Sequence, residues 1–340
     1  MKFGLWLPTY VYGDSSVDHR SRLRDCISAA EAAGFDIWVI DHLLTAPGLY
    51  GVTWLEPINA LTYAAALTRT AKLATGILVL PVRNPVILAK EIGTLDYLSE
   101  GRYIFGVGTG WYGPEYAATG SSIAERGART DELIAATRRL LTEDNVTFEG
   151  QFYRFRDVTI EPRPATMPPV WVSGGGRVAD VASPDIGGVA PKVLERIAQA
   201  DGWLSRSAAD LHMITADWKE ISAEVMRRRG TLETFTFGHC NFIHVVDTDD
   251  EAEALRQQEG PFMETMGSHR PFDQLRRSYL LGTPAQQVAR LRALQDAGCQ
   301  YIVLGPTTDD PRQVELIREL ITTPVTAAST ASRRELPAGP

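Results

Sequence analysis

The sequence has little cysteine and no long hydrophobic run. Its 340 residues include three cysteines, Cys26, Cys240 and Cys299, which lie far apart and form no Cys-x-x-Cys pair. This pattern excludes a disulfide framework and gives no support to a structural zinc site. The apolar stretch behind Met1 ends at Pro8, too short for a secretory signal, and no run approaches the roughly 18 apolar residues of a membrane span. We therefore expect a cytoplasmic protein without a membrane partner.

The sequence also lacks a concentration of positive charge. It contains 34 lysines and arginines against 42 aspartates and glutamates, a formal net charge of −8, and the basic residues are dispersed along the chain. Nucleic acid is a poor partner for such a surface, because clustered cations are needed to bind its phosphates. A content of 44% hydrophobic and 22% charged residues is that of an ordinary globular protein. We expect a small organic molecule as the main partner.

Two catalytic patterns are missing as well. The histidines show no metal-ligand spacing with one another, so no metal site is predicted. The sequence has no Gly-x-Ser-x-Gly segment, which disfavours an α/β-hydrolase.

What the sequence does contain is a repeated alternation of short apolar runs with helical patterns, which is typical of a parallel sheet covered by helices. The predicted strands are Phe3–Pro8, Asp36–Ile40, Leu73–Leu80, Tyr103–Val107, Pro169–Ser173, Gly202–Leu204, Phe235–Val246 and Tyr301–Leu304. The predicted helices include Val17–Ala33, Pro57–Arg69, Val86–Leu98, Gly127–Leu141, Lys192–Ala200, Ala208–Arg229 and Pro284–Ala297. This series favours an α/β fold of the (β/α)₈ TIM-barrel type over a doubly wound sheet.

The remaining segments predict additions to one barrel domain that spans residues 1–323. Residues 148–168 alternate aromatic and polar side chains and predict a small hairpin outside the main sheet. Gly260–Gly282 is interpreted as a mobile insertion over the C-terminal mouth of the barrel. Residues 324–340 are rich in Ala, Ser, Thr and Pro and predict a flexible tail.

In a TIM barrel the working residues follow the C-terminal ends of the strands, which makes the candidates few. They are Asp41 and His42 after the second strand, Gly76 and Ile77 in the third, Gly108, Thr109, Gly110, Trp111 and Glu115 after the fourth, and Gly174, Gly175 and Gly176 after the fifth.

Each of these groups allows more than one interpretation. The run from Gly108 to Gly113 matches Gly-x-Gly-x-x-Gly, but Pro114 follows it and its strand is fourth in the chain, so a dinucleotide fingerprint is disfavoured. The glycines 174–176 could offer N–H groups to a phosphate or form an ordinary loop. Asp41 could orient His42 for proton transfer, or the pair could cap the next segment.

An ordered series of motifs is more specific than any of these groups alone. The series is Ala32-Ala33-Gly34-Phe35-Asp36-Ile37-Trp38-Val39 with Asp41-His42, Thr75-Gly76-Ile77-Leu78-Val79-Leu80-Pro81 with Arg83-Asn84-Pro85, Ser99-Glu100-Gly101-Arg102, Gly106-Val107-Gly108-Thr109-Gly110-Trp111 with Glu115-Tyr116, Arg126 to Glu132, Pro169-Val170-Trp171-Val172 with Gly174-Gly175, and Ala200-Asp201-Gly202-Trp203. Through it the chain resembles the bacterial luciferase-like superfamily of flavin-type oxidoreductases. Asp-His after the second strand and Trp-x-x-x-Glu after the fourth look most like its coenzyme F420-dependent subgroup.

The resemblance implies a function as well as a fold. It implies hydride transfer between F420 and a small organic substrate, with His42 and Glu115 as the catalytic pair. The cofactor would be held by Asp41, Thr75, Gly76, Ile77, Gly108, Thr109, Gly110, Gly174, Gly175 and Gly176. One alternative is a reduced-FMN monooxygenase that activates molecular oxygen and is served by a separate flavin reductase. Another is a non-catalytic flavin-binding protein.

Two further expectations follow from the resemblance, and two departures from it stand out. The bond between Gly76 and Ile77 should be a non-prolyl cis peptide in a bulge that faces the cofactor, in agreement with a glycine inside a strand. The protein should be a homodimer. Two departures from relatives are an apparent added loop at Val181–Val189, and Leu43-Leu44-Thr45 where sugar-phosphate dehydrogenases of the superfamily have a tryptophan, which disfavours that substrate class.

Overall fold

Parallel strands form a closed barrel in this protein, whose computed structural model describes residues 1–11, 16–47, 49–176, 188–267 and 270–327. Each barrel strand pairs with the next along the chain, and the last pairs with the first. The strands are β1 (Lys2–Trp6), β2 (Asp36–Val39), β3 (Leu73–Thr75, continued by Leu78–Val79), β4 (Tyr103–Gly108), β5 (Val170–Ser173), β6 (Gly202–Ser205), β7 (Thr236–Ile243) and β8 (Tyr301–Pro306). The predicted (β/α)₈ TIM barrel is confirmed.

Helices cover the outside of the barrel between the strands. They are α1 (His19–Ala33), α2 (Pro57–Leu67), α3 (Pro85–Leu98), α4 (Gly113–Ala118), α5 (Arg126–Thr142), α6 (Pro191–Ala198), α7 (Leu211–Arg229), α8 (Glu251–Met266), α9 (Phe272–Ser278), α10 (Pro284–Asp296) and α11 (Pro311–Leu316), which continues as the π-helical segment Ile317–Thr322. Several begin at capping side chains, such as Asp18 before α1 and Asn84 before α3, which accept backbone N–H groups of the first turn. No helix within the described ranges is both long and apolar enough to cross a membrane.

Side chains along each strand alternate between the barrel interior and the layer beneath the helices, as the period of two requires. In β5, Trp171 faces the interior cluster while Val172 packs in the outer layer. The rings of Trp38, Trp171 and Tyr301 meet in the interior, with centroids 5.2 to 5.6 Å apart. These rings close the barrel beneath its C-terminal mouth.

The third strand is interrupted where the sequence places a glycine inside it. The bond between Gly76 and Ile77 is cis, and strand pairing resumes at Leu78. A Cβ on Gly76 would lie 2.7 Å from Nε1 of Trp6 and 2.9 Å from Cε3 of Trp38, so only glycine fits against these two rings. The predicted cis peptide is confirmed.

The segment predicted as a mobile insertion, Gly260–Gly282, is largely helical. The first part continues α8 through Gly260 and Pro261 as far as Met266, and α9 occupies residues 272–278. Gly and Pro in sequence indicate a helix end, but the buried positions of α8 recur at helical spacing on both sides of Pro261. Packing of that face outweighs the local signal.

The other predicted additions have mixed outcomes. Where a hairpin was expected over residues 148–168, Val146–Glu149 pairs antiparallel with Arg154–Val158. The predicted tail is wrong at its start, because helix continues to Ala327 and Val325 is fully buried; residues 328–340 lie outside the described ranges. Most of the loop predicted at Val181–Val189 lies outside them too. Sequence patterns missed α4, α11 and a short antiparallel pairing of Tyr10–Val11 with Thr53–Trp54.

Candidate active site

A cavity of about 470 Å³ opens at the C-terminal mouth of the barrel. Its walls come from the ends of the barrel strands and from the segment between α8 and β8. The lining includes Trp6, Ile40, Asp41, His42, Tyr50, Trp54, Gly76, Ile77, Val79, Gly110, Trp111, Glu115, Ser173, Leu204, Arg206, Ser207, Cys240, Phe242, Arg270 and Tyr279. Arg270 and Tyr279, which lie on either side of α9, bring this segment to the cavity.

His42 and Glu115 form a hydrogen-bonded pair in this cavity. His42 follows β2, and Glu115 lies in the first turn of α4, which begins just after β4. Nδ1 of His42 lies 3.2 Å from Oε1 of Glu115. A carboxylate accepts, so Nδ1 carries the proton and Nε2 is the atom left for chemistry. Among the described residues, Nε2 of His42 has no hydrogen-bond partner.

Glu115 is almost fully buried and stays ionised. The backbone N–H groups of Leu43 and Leu44 also donate to Oε1, at 2.8 and 3.2 Å. Burial alone would raise the pKa of Glu115, but the hydrogen bond and charge of His42 and these two N–H groups outweigh burial, so the net shift is downward. Glu115 therefore holds the histidine and its loop in place from behind.

Aromatic side chains surround His42 on its other sides. Its ring lies 5.2 Å from Tyr50, 5.1 Å from Trp54 and 5.8 Å from Trp111, centroid to centroid. Tyr50 and Trp54 meet edge to face at 4.7 Å. Only 8% of the His42 side chain is exposed, so the aromatic rings restrict water around the imidazole.

Asp41 lines the cavity, but its carboxylate already accepts hydrogen bonds from other groups of the protein. Oδ2 accepts from the backbone N–H of Val79 at 2.8 Å and from Nη2 of Arg83 at 3.0 Å. Arg83 also reaches Glu56 at the start of α2. Burial raises the pKa of Asp41, and the Arg83 charge opposes that shift. Asp41 thus anchors the beginning of the loop that carries His42.

The predicted residues on β3 and β4 divide into two groups. Gly76, Ile77 and Gly110 line the cavity. Among the described residues, Thr75, Gly108 and Thr109 lie outside the cavity lining. The hydroxyl of Thr75 donates to the carbonyl of Gly106 at 2.6 Å, between the strands.

Two of these glycines give room to neighbours. A Cβ on Gly108 would lie 2.7 Å from Cδ1 of Ile77, so the absence of a side chain lets Ile77 reach the cavity floor. Gly110 has φ +70°, and a Cβ there would lie 2.5 Å from Cγ1 of Val79.

The glycines after β5 lie beside the cavity and contact an acidic side chain. Ser173, directly before them, lines the cavity. The N–H of Gly176 donates to Oδ1 of Asp217, a residue of α7, at 2.9 Å. Oδ2 of Asp217 lies 3.3 Å from Nη2 of Arg206, which does line the cavity. The predicted phosphate loop is therefore already in contact with a carboxylate.

Sequence reasoning missed several residues of the site. Tyr50 and Trp54 lie in a stretch with no recognisable motif, and only their aromatic character could have drawn attention. Arg206 follows β6 and could have been found by the rule that the ends of barrel strands carry function. The described residues contain no cluster of three or more side chains suited to a metal ion.

Residues 1–301 match the luciferase-like monooxygenase family. The chain belongs to this family. It is an oxidoreductase of the luciferase-like class, in agreement with the resemblance drawn from its motifs.

Relatives with assigned activities include both FMNH₂-dependent and F420-dependent enzymes. An FMNH₂-dependent dimethylsulfone monooxygenase of Pseudomonas fluorescens is 26% identical over 90% of this chain and 89% of its own length. An F420-dependent glucose-6-phosphate dehydrogenase of Intrasporangium calvum is 39% identical over 47% of this chain and 48% of its own length. Another from Amycolatopsis mediterranei is 27% identical over 83% of this chain and 88% of its own.

Solved luciferase-like structures agree on the fold. A monooxygenase from Streptomyces bottropensis superposes with a TM-score of 0.73 at 25% identity, covering 95% of this chain and 99% of the other. An F420-dependent secondary alcohol dehydrogenase gives a TM-score of 0.75 at 22% identity, covering 94% and 98%.

Proposed function

We propose that this protein transfers a hydride between coenzyme F420 and a small organic substrate, and that His42 moves the accompanying proton. The observation that carries the proposal is the His42–Glu115 pair inside the mouth cavity. Family membership supports a flavin or deazaflavin cofactor, since relatives are named for either. The choice of the deazaflavin rests on the Asp41-His42 and Trp111-x-x-x-Glu115 resemblance, together with the F420-dependent dehydrogenases among the relatives.

The residues of the cavity fit a planar ring of the flavin type. Gly76, Ile77 and Gly110 all line the cavity, and two of them have no side chain, so the backbone is open to a ring there. The indole N–H groups of Trp6 and Trp54, which also line the cavity, are buried without a hydrogen-bond partner among the described residues. Buried unpaired donors are rare in proteins, and a ring system with carbonyl oxygens and ring nitrogens supplies acceptors.

The chain's own residues would bind, orient and exclude water. When bound, a deazaflavin supplies the ring carbon that gives or accepts a hydride, which no side chain can do. Nε2 of His42 would give a proton to the substrate oxygen or take one from it. Glu115 keeps Nδ1 protonated and stabilises the imidazolium that forms when Nε2 takes a proton. The rings of Tyr50, Trp54 and Trp111 restrict water at the reacting atoms.

A reduced-FMN monooxygenase is the second candidate. The observation that favours it is the dimethylsulfone monooxygenase of P. fluorescens, whose match covers nine-tenths of this chain. In that case the same water-restricting rings would protect an oxygen-activating flavin, and a separate reductase would supply FMNH₂. A flavin-binding protein without activity is the remaining alternative, and turnover with any electron donor would eliminate it.

Titration of the purified protein with F420 and with FMN, each oxidised and reduced, tests the proposal. We expect F420 to bind at least tenfold more tightly than FMN, and alcohols or carbonyl compounds to change the deazaflavin absorbance without oxygen consumption. Tighter FMN binding coupled to oxygen consumption would replace the lead with the second candidate.

A further inference from the structure

Asp217 occupies the space in front of the glycines that follow β5. It is a residue of α7 and is only 4% exposed. Its Oδ1 accepts the N–H of Gly176 at 2.9 Å, and a Cβ on Gly175 would lie 2.2 Å from its Oδ2. The carboxylate thus fills the cradle that these glycines form.

A phosphate group would make the same contacts. Backbone N–H groups of a glycine turn and an arginine guanidinium are the donors that proteins use for phosphate, and they serve a carboxylate equally. Here the two donors are the Gly176 N–H and Arg206. Because Asp217 meets both, the carboxylate lies where a ligand's phosphate oxygens would be expected.

Arg206 is only partly used by Asp217. The two side chains approach at one point, Nη2 to Oδ2, at 3.3 Å, in place of the two-pronged contact that a guanidinium can make. Nε of Arg206 is buried and has no partner among the described residues. A phosphate group bound here would offer acceptor oxygens to donors that the two carboxylate oxygens leave unpaired.

The negative charge of the Asp217 carboxylate is also only partly stabilised by its neighbours. Burial raises its pKa, and the Gly176 N–H and Arg206 only partly offset that shift, while the charge of Glu220 adds to it. A buried carboxylate whose charge is only partly compensated becomes more stable when it moves toward water. It can therefore be displaced by an anion that pairs more fully with the same donors. Arg206 and Ser173 both line the cavity, so a chain attached to a ring in the cavity can reach this point.

We propose that Asp217 is an internal competitor for the cofactor's phosphate, occupying the anion position formed by Gly176 and Arg206 until the phosphate displaces it. This inference rests on the proposed function, because it takes the ligand to be a phosphate-bearing flavin or deazaflavin. It assigns to Arg206 the role of binding the phosphate and to Asp217 the role of weakening that binding.

Two ligand pairs that differ by a phosphate-bearing side chain test the proposal: FMN with riboflavin, and F420 with its phosphate-free deazaflavin riboside. Dissociation constants are measured by fluorescence for the wild-type protein, for Asp217→Asn and for Asp217→Ser. We expect the phosphate-bearing member to bind about tenfold or more tightly in both variants, the change that removing one competing charge-assisted hydrogen bond produces, and the phosphate-free member to stay within about twofold. Arg206→Met should abolish the preference for phosphate.

The control is Glu224→Gln, which removes another carboxylate of α7, one that pairs with Arg227 and Arg228 instead of meeting Asp217. It should leave the preference near the wild-type value. An unchanged or reduced preference for phosphate in both Asp217 variants overturns the inference alone. If none of the compounds binds either the wild-type protein or the variants, the proposed function fails and the inference fails with it.

Discussion

His42 is held by groups from separate segments of the chain. Glu115 comes from the helix after β4, Trp54 from the short antiparallel pairing, and Trp111 from the segment between β4 and α4. Nδ1 is engaged by the carboxylate, so the imidazole presents Nε2 in one orientation. The residue's chemistry is therefore set by contacts that are distant in sequence.

At this scale we predict unequal effects of changing the two members of the pair. His42→Ala should lower kcat by about 10² to 10⁴, the usual contribution of a positioned acid or base. Glu115→Gln should lower kcat less, by roughly 10- to 100-fold, because it removes a charge-assisted hydrogen bond and leaves the imidazole in place. Cofactor affinity should stay within a few fold in both, as measured by titration beside steady-state kinetics.

Thr45→Ala, an exposed change in the same loop, is the matched control and should behave as wild type. A normal kcat at saturating cofactor in His42→Ala, with cofactor affinity lost, would mean that His42 binds the cofactor and moves no proton.

At the scale of elements, β3 and β4 approach each other unusually closely beneath the cavity. A Cβ on Gly106 would lie only 1.8 Å from the backbone carbonyl oxygen of Thr75, which cannot rotate away. The same Thr75 donates its hydroxyl to the Gly106 carbonyl, so the two strands are joined at this point.

Gly106→Ala should therefore destabilise the protein by about 1 to 3 kcal/mol, the cost of forcing an extra methyl into packed surroundings. Urea unfolding followed by circular dichroism measures the change. Gly113→Ala is the control, since a Cβ there would meet nothing within 4 Å, and its stability should stay within about 0.5 kcal/mol of wild type. Equal stability of the two variants would contradict the close approach.

The elements also show which features of a sequence predict structure. The barrel strands were predictable because buried parallel strands read as short apolar runs, and the alternation with helices identified their arrangement. The course of α8 was not predictable from local signals, since Gly260 and Pro261 indicate an end there. Phe262 and Met266 are buried in one cluster with Leu275 and Tyr279. These tertiary contacts stabilise the continuation of α8 beyond Pro261.

The candidate site was predictable in part for the same reason. His42, Glu115 and the Gly76–Ile77 bond follow strand ends and carry the motifs of the resemblance. Tyr50 lines the cavity because of how its loop packs, and no local sequence pattern predicts that packing. The position of Asp217 at the glycines after β5 depends on how α7 packs against α6, which a single sequence does not disclose.

At the scale of the whole molecule, α2 and α3 present exposed apolar side chains on the outside of the barrel. Tyr97 is 70% exposed, Ile87 61% and Leu98 52%, with Tyr63 and Leu67 of the neighbouring α2 also exposed. Large apolar areas on a protein surface often mark an interface with another protein. We therefore place the interface of the homodimer that the resemblance implies on these two helices, as a prediction.

We predict that the double change Tyr97→Glu and Leu98→Glu converts a dimer to a monomer. It should raise the dimer dissociation constant by at least about thirtyfold, since removal of buried aromatic anchors commonly costs about 2 kcal/mol or more. Sedimentation velocity over a range of concentrations measures this. Met226→Glu on α7, also exposed, should leave the dimer intact; a dimer that survives the double change would place the interface elsewhere.

We expect the mouth cavity to hold a flavin-type ring beside His42. A crystal structure of the protein with F420 would locate the ring. It should lie against Gly76 and Ile77, with its reacting edge facing a substrate space that Nε2 of His42 can reach. Binding at another place, such as the separate cavity of about 340 Å³ between α5 and α6, would contradict it.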